Sequence, residues 1–337
     1  GRSSDLLMEL LGCQREVDLQ GYISPKLALV VSALREIKDS DEIAELEEAC
    51  RVGCMMHQRA MRLTIAGLSE HAVAGEVDGI ARSEGQGVSF STIYTQHGEI
   101  LHGSPRRDLL RDGAMVLCDA GAESHSGYCS DHTRTYPVSG KFSDVQRDIY
   151  NIVLDVHNFV AQSIKPNIYY RDLQNMTLRM LADRLKEFGL LRGSLDEIME
   201  SGAVKLFMPH GVGHGLGMDV HDCEALGGRY LDFEGYEQEI EHYGSSIFRE
   251  WWTLREGGVM TNEPGVYFIG ALIEKSLGEG FYRGIVNYNM ALSMRDFGGV
   301  RIEDDYLVTA QGCRPIKSHL HIPKSVAEIE EYMRSCR

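Results

Sequence analysis

At 337 residues, 43% hydrophobic and 25% charged, the chain can bury a sizeable core and shows no sign of wholesale disorder or a collagen-like repeat. A net charge of −16 argues against a nucleic-acid partner, because phosphate binding needs a basic surface that releases counterions. No run reaches the roughly eighteen apolar residues that span a bilayer, and no basic-then-apolar signal peptide opens the chain, so no membrane partner is expected.

Eight cysteines without a C-x-x-C pair do not resemble a disulfide frame, and a reducing cytoplasmic setting is expected. Residues 1–38 hold two short apolar runs, Leu6 to Leu11 and Leu27 to Leu34, around a Tyr22-Ile23-Ser24-Pro25 break. That is too little chain for its own core. Ser40 can cap a helix whose apolar positions Ile43, Leu46, Cys50 and Cys54 recur at three- and four-residue steps, which predicts a helix over about 40–65. Cys50 and Cys54 then share one face as small buried residues rather than a metal clip.

Ser69 and Glu70 open a second helix, and Val88 to Tyr94 reads as a strand. A further strand, Met115 to Asp119, enters a turn on Ser124 to Gly127, with Tyr128 to Val138 as its hairpin partner. Amphipathic segments near 143–164 and 170–188 follow, and strand-rich stretches over 258–269 and 299–309 close the pattern. The acidic run Asp232, Glu234, Glu237, Glu239 and Glu241 reads as a solvated loop. Interleaved strands and helices make the fold class α/β or α+β, with helices packed against a mixed sheet.

The chemistry sits in short polar motifs within apolar or glycine-rich runs. Alternation along a strand makes Met115, Leu117 and Asp119 share a face, as do Asp131, Thr133 and Thr135 on the return strand, so two carboxylates can meet across one hairpin. Phe207 to Asp222 carries His210, His214 and His221 among Gly211, Gly213, Gly215 and Gly217. Each of those glycines costs a helix about 1 kcal/mol, so His210 and His214 are not a helical zinc-binding pair. The glycines also resemble a dinucleotide loop, but Leu216 stands where that fingerprint wants glycine and no helix pattern follows. Glu263 precedes a Pro264-Gly265 break that exposes its head group, and Arg301 shares a strand face with Glu303. Asp296-Phe297-Gly298 matches a kinase tripeptide, but no kinase catalytic loop accompanies it. Taken singly these acids read as turn residues or internal ion pairs. Together, Asp119, Asp131, His214, Glu263 and Glu303 form the hard, mostly carboxylate ligand set that a pair of cations such as Mn²⁺ needs.

These motifs resemble those of the pita-bread metallopeptidases, over roughly residues 40–317. The Phe207–Asp222 block, Glu263-Pro264-Gly265-Val266-Tyr267-Phe268 and Phe297 to Asp304 are most similar to the prolidase branch, the Xaa-Pro dipeptidases. The resemblance implies a pita-bread fold with a curved sheet and outer helices, and hydrolysis of the bond before proline by a hydroxide bridging two divalent metals. Those metals would be Mn²⁺, with Co²⁺ or Zn²⁺ also accepted by the ligands. It gives Asp119 and Asp131 to one metal, His214 and Glu263 to the other, with Asp131 and Glu303 bridging and Glu263 also carrying the proton. It makes His102 a hydrogen-bonding group at the scissile carbonyl, His221 a catalytic and substrate contact, and Arg301 a support for the site. His210 joins the substrate-binding set, and Arg249 falls where prolidases bind the free carboxylate of a dipeptide. A small peptide with proline second is the implied substrate and a homodimer the implied assembly. The resemblance also implies that residues 1–38 are the tail of a truncated N-terminal domain and a linker, ahead of a catalytic domain over 39–337. The pattern departs in two places: Asp131 follows Asp119 by one residue more than is usual, and His132 and Asn262 stand where relatives often carry apolar residues, as polar groups behind the ligands. An aminopeptidase acting on longer peptides and a non-catalytic peptide-binding module are the alternatives.

Overall fold

The computed structural model describes residues 2–15, 18, 22, 24–224 and 252–337. Arg249 and the acidic run from Asp232 to Glu241 lie outside the described residues. Two helices, α1 (Arg2–Leu11) and α2 (Pro25–Glu36), precede the long α3 (Ser40–Leu63). The cap of α3 is Asp39 rather than Ser40. Its carboxylate accepts the Asp41 and Glu42 N–H groups while Glu42 returns a bond to the Asp39 N–H at 2.8 Å, a reciprocal box that Ser40 cannot form in that register. Cys50 and Cys54 are buried on this helix, as expected. Ser69 caps α4 (Glu70–Glu84) through the Ala72 N–H.

The strand expected over 88–94 is two strands serving different partners. β1 (Gly87–Val88) pairs with β4 (Ala122–Glu123), and β2 (Ile93–Thr95) pairs with β3 (Met115–Ala120). Between them the Ser89 hydroxyl donates to the Ser130 carbonyl at 2.9 Å and Thr92 to Asp78 at 2.6 Å, so side chains interrupt the ladder. β5 (His132–Pro137) is the return arm of the β3 hairpin, in the register Asp119↔Thr133 and Leu117↔Thr135. It begins four residues later than the sequence suggests, because Cys129 and Ser130 still pair back to Glu123 and Ala122. Asp131 therefore sits at the corner between two short ladders.

The remaining chain gives α5 (Asp144–Ser163), α6 (Tyr170–Glu187), α7 (Leu195–Ser201), β6 (Val259–Asn262), β7 (Gly265–Tyr267), α8 (Gly270–Glu279), α9 (Tyr288–Ser293), β8 (Gly299–Arg301), β9 (Asp304–Thr309), β10 (Gly312–Pro315) and α10 (Val326–Ser335). Strand orders are β2-β3-β5, β10-β9-β6 and β7-β8, stitched by the Thr133↔Glu303 bridge. Every strand pair among the described residues is antiparallel, where a mixed sheet was expected; β3–β5 and β9–β10 are local returns, and the other pairs are closed by longer connections. α3 packs on β3, β4 and β5, and α5, which buries Ile149, Tyr150, Val153, Val156 and Val160, packs on β6, β7, β8 and β10. Burying each such aliphatic side chain is worth about 1.5–3 kcal/mol, enough to hold the strands that carry the polar motifs. Among the described residues no helix is long and apolar enough to cross a membrane.

Candidate active site

Three of the four predicted acidic ligands converge on the fifth ligand, the His214 imidazole. His214 Nε2 lies 3.4 Å from Asp131 Oδ2, 3.7 Å from Glu263 Oε1 and 4.0 Å from Glu303 Oε1. The local fold explains the convergence. Residues 212–216 run antiparallel beside β6, with the Thr261 N–H on the His214 carbonyl at 2.8 Å and the Glu263 N–H on the Val212 carbonyl at 2.8 Å. The Pro264-Gly265 break between β6 and β7 then turns Glu263 toward the histidine. His214 Nδ1 faces its neighbour's carbonyl, Gly215 O, at 3.1 Å; donating there fixes the tautomer whose Nε2 ligates a cation.

Asp119, at the end of β3, lines the same cavity of about 460 Å³ and is bound to the Arg301 guanidinium through Oδ2. Arg301 also donates to Thr133 Oγ1 at 3.2 Å and Tyr267 Oη at 3.1 Å, and the Thr133 hydroxyl donates to Glu303 Oε2 at 2.7 Å. Burial opposes the charge on Arg301, but Tyr267, Asp119 and Glu303 outweigh it and hold the guanidinium protonated. The carboxylates go the other way. Burial pushes Asp131 well above the usual range, reinforced by Glu303 and Asp119; burial does the same to Glu303, reinforced by Glu263 and Asp119.

The donor set fits divalent cations on this structure's own terms. Asp119 Oδ1, Asp131 Oδ1 and Glu303 Oε1 are buried with no hydrogen-bond partner, and the ligand atoms of Asp131, His214 and Glu303 lie within 4.8 Å of one another. Buried acceptors without donors are costly, and cations among them remove both that cost and the mutual repulsion of the acids.

The three other histidines reach the cavity differently. His221 lies with its ring centroid 4.1 Å from that of His214, its Nδ1 3.1 Å from Glu224 Oε2. His102 lines the cavity with Leu101 and Gly103. His210 lines the cavity too, yet its Nδ1 faces the Gly211 carbonyl at 2.8 Å and its Nε2 accepts the Tyr267 hydroxyl at 2.8 Å. It thereby ends a chain running Asp119–Arg301–Tyr267–His210.

Sequence reasoning missed Tyr267, whose strand position two residues after Gly265 was the available signal, and Asp305. Asp305 Oδ2 accepts the Asp131 N–H at 3.1 Å and faces the Cys50 thiol at 3.4 Å, with His132 Nε2 at 4.0 Å. Cys50, expected as plain packing, thus also touches the acid behind Asp131. Phe90, Ile93, Leu101 and Val220 give the cavity its apolar wall.

A match to Metallopeptidase family M24 covers residues 44–310. The chain is 34% identical to Xaa-Pro aminopeptidase 1 of Streptomyces coelicolor, covering 93% of this chain and 57% of that protein. It is 33% identical to the Xaa-Pro dipeptidase of Rattus norvegicus, covering 90% and 61%. Among solved structures, zinc-substituted E. coli aminopeptidase P in complex with product superposes with a TM-score of 0.72 at 32% identity over 92% of this chain and 62% of that one. The Pseudomonas aeruginosa aminopeptidase PepP gives 0.73 at 32% identity over 90% and 61%. The chain therefore spans roughly three fifths of the length of these relatives. Its fold is the pita-bread fold, and the chain belongs to Metallopeptidase family M24.

Proposed function

We propose that this chain is the catalytic part of a two-metal peptidase that hydrolyses the bond before proline, with Xaa-Pro dipeptides as substrates. The observation that carries the proposal is the convergence of Asp131, Glu263 and Glu303 on His214 Nε2, beside Asp119, on one cavity with orphaned carboxylate oxygens. In this reading Asp119, Asp131, His214, Glu263 and Glu303 would together hold two divalent cations. Mn²⁺ is the proposed metal, and the zinc-substituted relative supports Zn²⁺ as a substitute. When bound, such cations acidify water to a pKa of about 7 and polarise a carbonyl.

The chain's own residues do the rest. Glu263, partly exposed at the cavity, takes the proton of the attacking water and passes it to the proline nitrogen as the bond breaks. His102 donates to the scissile carbonyl oxygen as negative charge develops there. Phe90, Ile93 and Leu101 receive the pyrrolidine ring and exclude water, and His221 on the same cavity holds the proline end, together with Arg249 on the resemblance alone. Arg301 fixes Asp119 and, through Tyr267, the ring of His210.

Chelation followed by Mn²⁺ add-back on Gly-Pro tests the reading: activity is lost and returns. Unaltered hydrolysis after rigorous metal stripping refutes it. The aminopeptidase relatives favour a second reading, release of the residue before proline from longer peptides. Gly-Pro against Ala-Pro-Ala separates the two, and Arg249→Ala harms the dipeptide more if the first reading holds.

A further inference from the structure

The segment ahead of α3, read from sequence as a linker, reaches the histidine loop. Lys38 is almost wholly buried, its side chain 3% exposed, and donates from Nζ to Asp222 Oδ2 at 2.9 Å and to the Arg35 carbonyl at 2.7 Å. Arg35 forms an ion pair with the other carboxylate oxygen of Asp222 and donates to Asp219 Oδ2 at 2.8 Å. Asp222, 2% exposed at its side chain, thus meets two cations from one short stretch of chain, and it directly follows His221.

The loop is folded around that carboxylate. The Asp222 N–H donates to the Gly215 carbonyl at 3.0 Å, one residue after His214. A Cβ on Gly217 would lie 2.5 Å from Asp222 Oδ2 and 3.1 Å from Lys38 Nζ, so the glycine backbone presses directly on the ion pair. The segment is itself anchored: the Lys38 N–H donates to the Gly257 carbonyl at 2.9 Å, and Glu36 accepts the Trp252 indole N–H at 3.2 Å. A buried ion pair seldom adds net stability, because desolvation offsets the Coulomb gain, yet it fixes a geometry that a glycine-rich loop cannot fix alone.

We propose that Lys38, assisted by Arg35, is a positioning residue of the active site, clamping Asp222 so that His221 is held against His214. The inference rests on the peptidase reading for its kinetic consequence, but not for its structural one. Residues 25–38 then act as part of the catalytic unit rather than as a passive tether.

The test uses the full chain with metal bound and compares Lys38→Met, His221→Ala and their combination on Gly-Pro. A displacement of about 1 Å in a positioned group can cost about 100-fold, so Lys38→Met should lower kcat/KM by 10- to 100-fold. The double variant should be no worse than His221→Ala alone, since both act through one group. Amide exchange over residues 215–222 should quicken in Lys38→Met while that of α5 and α6 stays unchanged. Multiplying losses in the double variant, or unchanged exchange over 215–222, overturns the clamp. Should Lys38→Met not fold, Arg35→Gln, which removes the more exposed partner, is read by the same two measurements. A parent chain inactive on every proline peptide with metal restored would count against the peptidase reading, and the exchange measurement would still decide the clamp.

Discussion

Gly213→Ala isolates the packing that aims His214. An alanine Cβ at that position would lie 2.0 Å from the Thr261 carbonyl oxygen, 2.8 Å from its carbon and 3.0 Å from Thr261 Oγ1, against ordinary contacts of 3.4–4 Å. The obstacle is β-strand backbone rather than a flexible side-chain tip, so residues 212–214 must retreat from β6 by more than about 1 Å. Three bonds span that gap: Thr261 N–H to the His214 carbonyl, His214 N–H to Thr261 Oγ1, and Glu263 N–H to the Val212 carbonyl. The same retreat separates Nε2 of His214 from Asp131 and Glu263, 3.4 and 3.7 Å away at present. Overpacking of this kind costs about 1–3 kcal/mol of stability. The functional cost is larger, about 100-fold in kcat/KM for an ångström of misplacement, with a 10- to 100-fold loss of metal affinity. Urea unfolding, competition with a chelator and Gly-Pro hydrolysis measure the three effects. Gly79→Ala is the control: it lies in α4 with no atom within 4 Å of a new Cβ and should gain about 0.5–1 kcal/mol. A Gly213→Ala protein with metal affinity and kcat/KM within threefold of the parent would refute the argument that this contact aims the ligand.

Arg301→Met strips a buried guanidinium from Asp119, Thr133 and Tyr267 and should cost about 3–5 kcal/mol in urea unfolding of the metal-free chain, because Asp119 loses its buried partner; a cost below about 1 kcal/mol would show that the acid is compensated elsewhere. Asp305→Ala removes the acceptor of the Asp131 N–H and should weaken metal binding by about 10- to 100-fold in a chelator competition, and an unchanged affinity would place Asp305 outside the site's support. Burial pushes His157 down to about 3, helped by Lys324 and Arg134 and opposed by Asp304. A histidine depressed in the folded state binds its proton mainly when unfolded, so its contribution is complete above pH 6.5 and is lost as pH falls from there toward 3. His157→Leu should therefore flatten the fall in unfolding free energy between pH 6.5 and 4 by about 1.4 kcal/mol per pH unit, and an identical slope in both proteins would show that His157 is not the group being titrated.

What could be read in the sequence was whatever a single element carries. The three- and four-residue spacing of Ile43, Leu46, Cys50 and Cys54 placed α3 well, because one helix face is set by local periodicity alone. Alternation placed Asp119 and Thr133 on matching faces, and the register made them direct partners, because a hairpin pairs residues close in the chain. The cap of α3 went one residue astray, since Asp39 and Ser40 are both capping types and only Glu42, three residues past Asp39, distinguishes them. The strand over 88–94 split for a non-local reason: Ser89 and Thr92 bond to Ser130 and Asp78, which no pattern within seven residues encodes.

The same limit explains what was missed around the site. A tyrosine two residues past a glycine and an aspartate two past Glu303 are ordinary strand residues until the fold brings Tyr267 to His210 and Asp305 to the Asp131 N–H. Lys38 and Asp222 are the extreme case. A lysine ahead of a helix cap and an aspartate after a histidine carry no local signal of burial, and they are 184 residues apart. Only the burial of both, with Arg35 on the same carboxylate, turns two ordinary charges into a joint between the N-terminal segment and the loop that presents His221. Metal-ligand motifs are legible because coordination chemistry restricts which residues can serve. The groups that hold a ligand in place carry no such restriction, since any cation will do for a carboxylate, and so their identity has to come from the fold.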